Sequence, residues 1–119
     1  MKLKLLAASV GVALLLAPAV AAAGDQDFRL RNRTGYTIDQ VYVSSVGAKT
    51  WEEDVLGRDT LADGESWDIE FARSEDECSW DLKVVYDDGE TAEWGGVNLC
   101  ATSTISLFYD NGRTWATTD

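Results

Sequence analysis

Apolar and polar residues alternate with period two through most of this chain, the signature of half-buried β-strands. The clearest run is Trp80 to Tyr86, where Trp80, Leu82, Val84 and Tyr86 alternate with Asp81, Lys83, Val85 and Asp87. Asp87-Asp88-Gly89 follows and reads as a three-residue hairpin loop with Gly89 in the left-handed position. That loop sets Tyr86 opposite Glu90, Val84 opposite Ala92 and Leu82 opposite Trp94, so the apolar faces match. A two-residue loop at Asp88-Gly89 would put Val84 opposite Glu93, so the pattern selects the register. The same register places Cys78 opposite Asn98, with Cys100 two residues further on.

The other strands follow by the same reasoning. Phe28 to Arg33 alternates apolar with basic residues and puts Arg29, Arg31 and Arg33 on one face, for pairing with carboxylates or as an anion-binding stripe. Asn32-Arg33-Thr34-Gly35 reads as a turn and contains an N-x-T sequon. In Tyr36 to Val43, Ile38 and Val41 fall on opposite parities, which calls for a bulge near Asp39-Gln40 or for two covered faces. Glu65 to Ala72 carries Trp67, Ile69 and Phe71 on one side, and Thr104 to Asp110 carries Ile105, Leu107 and Tyr109. Asn111-Gly112 predicts a type I′ hairpin that pairs Phe108 with Trp115 and Leu107 with Ala116.

One stretch breaks the rhythm. Thr50-Trp51-Glu52-Glu53 fits a capping box, Trp51 and Val55 share a helical face, and Gly57 can end a helix. The spacing predicts one or two helical turns over an open end of the sheet, with Trp51 as the cap. The fold expected is all-β: an antiparallel sandwich of about seven strands, immunoglobulin-like or C2-like, with one short helix.

The first 23 residues are read apart from this domain. Lys2 and Lys4 precede an apolar run from Leu5 to Leu16, and Ala21-Ala22-Ala23 offers a cleavage site, so residues 1–23 read as a Sec-type signal peptide. Residues 24–119 are then one exported domain, periplasmic or secreted, with no further membrane span. In such a compartment Cys78 and Cys100 are expected to form a disulfide, adding about 3 kcal/mol in the chain-entropy view. Removing Lys2 and Lys4 takes the formal charge from −11 to −13, which argues against nucleic-acid partners and for solubility, cation binding or a basic partner.

Candidate chemistry is sparse. The chain has no histidine, no G-x-S-x-G elbow and no phosphate-binding glycine motif, so nucleophilic catalysis has no visible machinery. Loop aspartates could ligate Ca²⁺ through hard oxygens, with Asp54, Asp59, Asp87 and Asp88 as the candidate set and Asp63 and Asp110 in similar settings. Turn chemistry alone also places Asp before Gly. Of the five tryptophans, Trp67, Trp80 and Trp94 fall on core faces, and Trp115 with Phe108 is the pair that could present a ligand-stacking patch.

The motifs F-R-L-x-N-x-T-G-Y at 28–36, Q-V-Y-V-S at 40–44, D-V-L-G-R-D at 54–59 and L-x-D-G-E-S at 61–66 resemble one family. So do W-D-L-K-V-V-Y-D-D-G-E-T-A-E-W at 80–94 and N-L-C at 98–100. It is a family of short exported bacterial proteins of unknown function, and the resemblance covers nearly all of residues 24–119. Some members carry a transferred label of argininosuccinate lyase. That lyase is a long helical enzyme built from several subunits, whereas this chain is short, strand-rich and histidine-free. The resemblance implies export, the strand pattern and the cysteine pair, and supplies no catalytic residue. The expected role is a non-catalytic binding or structural module of the bacterial envelope, with a protein or glycan partner. A calcium-dependent binding domain and an enzyme are the alternatives.

Overall fold

A computed structural model describes residues 24–119; the signal-peptide reading of 1–23 lies outside the described residues. Seven strands form two sheets packed around one core: β1 (Phe28–Arg33), β2 (Ile38–Ser45), β3 (Ser66–Ile69), β4 (Ser79–Tyr86), β5 (Thr91–Asn98), β6 (Thr104–Asp110) and β7 (Arg113–Thr118). One sheet has the order β3-β1-β6-β7 and the other β2-β4-β5. The all-β sandwich read from the sequence is the fold. Its pairings are antiparallel with one exception, β1 against β6, which is parallel and brings together strands more than 70 residues apart.

Alternation dictates the packing. Phe28 and Leu30 of β1, Ile69 of β3, and Ile105 and Leu107 of β6 face Ile38 and Val41 of β2 and Leu82, Val84 and Tyr86 of β4. Trp67, Trp80 and Trp94 pack against this core from its margins, as their positions on the apolar faces imply. The parity break in β2 is a bulge between Ile38 and Gln40. Both hairpins have the predicted register: Val84 pairs with Ala92 and Leu82 with Trp94, while Phe108 pairs with Trp115 and Leu107 with Ala116. The second turn has Asn111 at φ 51° and Gly112 at φ 79°, the two positive values a type I′ turn needs.

The short helix expected after Thr50 does not form: residues 51–54 are irregular and 55–58 are turns. A helix would spend the Val55 amide on a carbonyl four residues back. Here Val55 N–H donates instead to the Val41 carbonyl (2.8 Å), and Asp54 Oδ1 accepts from Val41 N–H (2.8 Å) and Leu56 N–H (3.0 Å). The segment therefore covers the free edge of β2, which would otherwise present unpaired backbone groups. Trp51 consequently does not cap an end of the sandwich. It lies over the solvent side of the β2-β4-β5 sheet, with its ring 6.5 Å from Tyr42 and the Lys83 ammonium over it.

The lower part of the β4–β5 hairpin also departs from expectation. Trp80 pairs with Val97 and Leu82 with Trp94, so β5 contains an extra residue at Gly95-Gly96. Ser79, not Cys78, faces Asn98, and the Leu99 amide donates to the Cys78 carbonyl at 2.8 Å. A single 3₁₀ turn, Leu99–Ala101, follows. The shift brings Cys100 within a Cα–Cα distance of 5.2 Å of Cys78, and the two form the expected disulfide.

Candidate functional site

Two regions of the surface carry more polar and aromatic chemistry than the fold requires. The first is the solvent face of the β3-β1-β6-β7 sheet. Strand alternation points Arg29, Arg31 and Arg33 of β1 outward, beside Phe108 of β6 and Arg113 and Trp115 of β7. The parallel β1–β6 register sets Arg33 opposite Phe108, and β7 continues that row with Trp115. The two rings stack with centroids 5.5 Å apart and 13° between planes. The Arg113 guanidinium lies 5.5 Å from the Trp115 centroid. Trp115 is 38% exposed.

Only one arginine of this face is spent on a carboxylate. Arg29 bonds Asp68 at 2.8 Å across β1 and β3, and that bond holds the Asp68 carboxyl below its ordinary range and the guanidinium above its own. Both side chains are largely in water, so the pair contributes little to stability. Arg31, Arg33 and Arg113 have no ion-pair partner among the described residues. Arg31 and Arg33 border a surface groove of about 420 Å³ together with Asp63, whose Oδ1 accepts the Gly35 amide (2.8 Å). Of the eight basic residues after Lys2 and Lys4, four stand on this face of an otherwise acidic domain. The stripe and the aromatic pair were each visible in the sequence. Their union was not, because it depends on the parallel pairing of β1 with β6.

The second region is a cleft of about 170 Å³ at the end of the sandwich where β4 runs into the hairpin loop, lined by Tyr36, Tyr86, Asp87, Asp88, Glu90 and Tyr109. Tyr36 meets Tyr109 edge to face at 5.4 Å. Tyr86 is 8% exposed, and its hydroxyl has no hydrogen-bond partner. Burial is the main cause that pushes its phenol above the ordinary tyrosine range, against a lowering contribution from the Thr114 hydroxyl beside it.

The four aspartates proposed as calcium ligands do not meet. Asp87 and Asp88 share the cleft, with Asp88 Oδ1 accepting the Glu90 amide at 2.9 Å. Asp54 holds the β2 edge, and Asp59 borders a separate groove with Thr60 and Trp67. Asp63 binds the Gly35 amide, and Asp110 faces Arg113 across the last hairpin. Among the described residues no three acidic or cysteine side chains converge as a metal set. The sequon asparagine, Asn32, is fully buried. Its amide donates to the Tyr36 and Leu61 carbonyls (2.7 and 2.9 Å), and its Oδ1 accepts from the Thr34 amide and hydroxyl (3.0 and 2.7 Å). In the folded protein that side chain is a turn-closing bridge and is closed to glycosylation.

No protein-family model matches the chain, and none of the curated proteins does. The fold is similar to the NMR structure of a protein from Eubacterium rectale, with a TM-score of 0.57 at 19% identity over 86% of this chain and 93% of that one. At that identity the likeness shows the fold alone.

Proposed function

We propose that the protein is an exported, disulfide-stapled binding module of the bacterial envelope that acts without catalysis. Its partner is a carboxylate-bearing glycan held on the solvent face of the β3-β1-β6-β7 sheet. The row Arg33–Phe108–Trp115 carries this reading. Guanidinium groups pair with carboxylates through a planar fork, and exposed aromatic rings supply apolar area for sugar C–H faces. Trp115 shields and orients the Arg113 guanidinium, which lowers the cost of ordering it on a ligand. A domain of formal charge −13 repels the dense phosphate backbone of nucleic acid, whereas a glycan spreads its charge more thinly. A sandwich with no histidine and with both cysteines bonded is consistent with a holding role.

Affinity electrophoresis in native gels tests this. Polygalacturonate in the gel should retard the protein, neutral dextran should not, and added salt should weaken the retardation. Arg33→Ala with Trp115→Ala should abolish it while leaving the thermal transition in place, since both side chains are exposed. Equal mobility in all gels, or equal retardation by dextran, would sink the proposal.

A further inference from the structure

The end cleft has a composition that the glycan reading does not use. Half of its lining is aromatic and half is acidic, and no lysine or arginine is among the six residues. Tyr36 is 55% exposed and contributes nothing to the core, yet its ring is held at 89° to that of Tyr109, making two walls of a box. Tyr86 closes the inner side from the end of β4. Its buried hydroxyl is left unbonded, although the Thr34 and Thr114 hydroxyls stand near it. Those two hydroxyls donate elsewhere, Thr34 to Asn32 Oδ1 (2.7 Å) and Thr114 to the Phe108 carbonyl (3.1 Å). Native interiors seldom leave such a group unpaired, and this one, enclosed behind the ring that lines the cleft, meets a ligand only if the lining shifts. Outside, Asp87, Glu90 and the second oxygen of Asp88 supply negative charge at the mouth.

We propose that this cleft binds an organic cation, an ammonium or guanidinium head group, borne by a free amine or by a lysine or arginine side chain. Aromatic faces attract a cation through their quadrupoles, and carboxylates at the rim add direct charge. A hard metal ion wants several oxygens converging on one point, and among the described residues no three acidic side chains do so. The volume of about 170 Å³ suits a head group of roughly five heavy atoms, by the liquid volume of water. The site is independent of the glycan face, and either can fail without the other.

The test is a titration of the purified, oxidised protein followed by NMR of its tyrosine rings and backbone amides. The probes are tetramethylammonium, n-butylammonium and Nα-acetyl-lysine-methylamide, with tert-butanol and calcium as controls. Saturable shifts confined to Tyr36, Tyr86, Tyr109 and residues 87–90 are expected with the organic cations. Tighter binding of the lysine derivative than of n-butylammonium would assign the head group to a partner chain, and equal binding would assign it to a free amine. Tyr36→Ala should weaken binding about fivefold, corresponding to about 1 kcal/mol. Tyr36→Phe should bind within about twofold of the parent, because the ring face is retained. Asp87→Asn should weaken binding with Asp88 left in place as the loop residue. Three results would overturn the proposal: the same shifts with tert-butanol, the same shifts with calcium, or unsaturable shifts spread over the acidic surface.

Discussion

Asp81 Oδ1 accepts a hydrogen bond from the Gly96 amide at 2.9 Å, at the bulge that shifts the register leading to the disulfide. Gly96 sits at φ 67°, and with Gly95 it forms the extra residue of β5. Without that residue the ladder would place Cys78 against Asn98, and Cys100 would lie two positions away. The bulge moves the register by one, and the Cys78 carbonyl then meets the Leu99 amide. Asp81→Ala should cost about 1 kcal/mol through loss of a cap on the bulge, and Gly96→Ala about 1–2 kcal/mol through left-handed strain. Both should slow re-formation of the disulfide from the reduced protein. Denaturation with thiol-trapping time points would check this; native oxidation rates in both variants would show that the bulge does not guide the cysteines.

The disulfide closes a loop with a separation of 22 residues and ties β4 to the 3₁₀ turn before β6. Chain entropy gives about 3 kcal/mol for a loop of this length. Cys78→Ser with Cys100→Ser should therefore lower the thermal midpoint by more than about 10 °C in a domain this small. The fold should persist at low temperature, because the core residues of β1, β4 and β6 are independent of the bridge. Calorimetry of both forms decides the matter.

These cases mark how far the chain could be read from its residues. The two hairpins were legible because their registers are local: Asn111-Gly112 and Asp87-Asp88-Gly89 each fix the pairing of adjacent strands. The bulge too has a local signal, since paired glycines inside a strand mark such a kink. The Thr50–Glu53 capping pattern is local and does not yield a helix, because β2 offers Val41 as a competing, distant partner for Val55. The basic face and the aromatic pair could be read singly. Their meeting depends on a pairing between strands that no short-range pattern specifies.

Asn32 illustrates a polar residue in the core that is there for its bonds. Three hydrogen bonds close the β1–β2 turn on Thr34 and Tyr36, and a fourth ties it to the Leu61 carbonyl. Asn32→Ala leaves the Thr34 amide without its acceptor and opens a cavity, while the Leu61 and Tyr36 carbonyls keep the Ile38 amide and the Thr34 hydroxyl, so the cost should be about 2 kcal/mol. Asn32→Asp, which sets a buried carboxylate against the Tyr36 and Leu61 carbonyls, should cost at least as much as the alanine. Urea denaturation of the three proteins would check the order.

Asp54 separates a structural carboxylate from a metal ligand. Its Oδ1 is already bonded to the Val41 and Leu56 amides, so Asp54→Ala should lower stability by about 2 kcal/mol equally in EDTA and in millimolar calcium. A calcium ligand would behave differently, and its loss would be felt only when the ion is present. Thermal melts of the parent and the variant in both buffers give the four numbers needed. A variant effect confined to the calcium arm would restore Asp54 as a ligand.

Tyr86 ties stability to alkaline pH. Its folded-state phenol titrates above the ordinary value of 10.0, chiefly because burial disfavours the phenolate. Below pH 10 both folded and unfolded chains keep the proton, so its contribution is fully present. As pH rises past 10 the unfolded chain releases the proton first, and stability falls until the folded-state value is passed. Tyr86→Phe removes this loss and also removes a buried hydroxyl without a partner. At neutral pH the variant should therefore be as stable as the parent or about 1 kcal/mol more so. Above pH 10 the gap between the two should widen in its favour. Urea midpoints from pH 7 to 11 would show it, and a parallel decline in both proteins would mean that the Tyr86 proton is not linked to folding. If the same variant also binds n-butylammonium more weakly, the unbonded hydroxyl is a stability cost retained for the cleft, as expected where function and stability compete for one side chain.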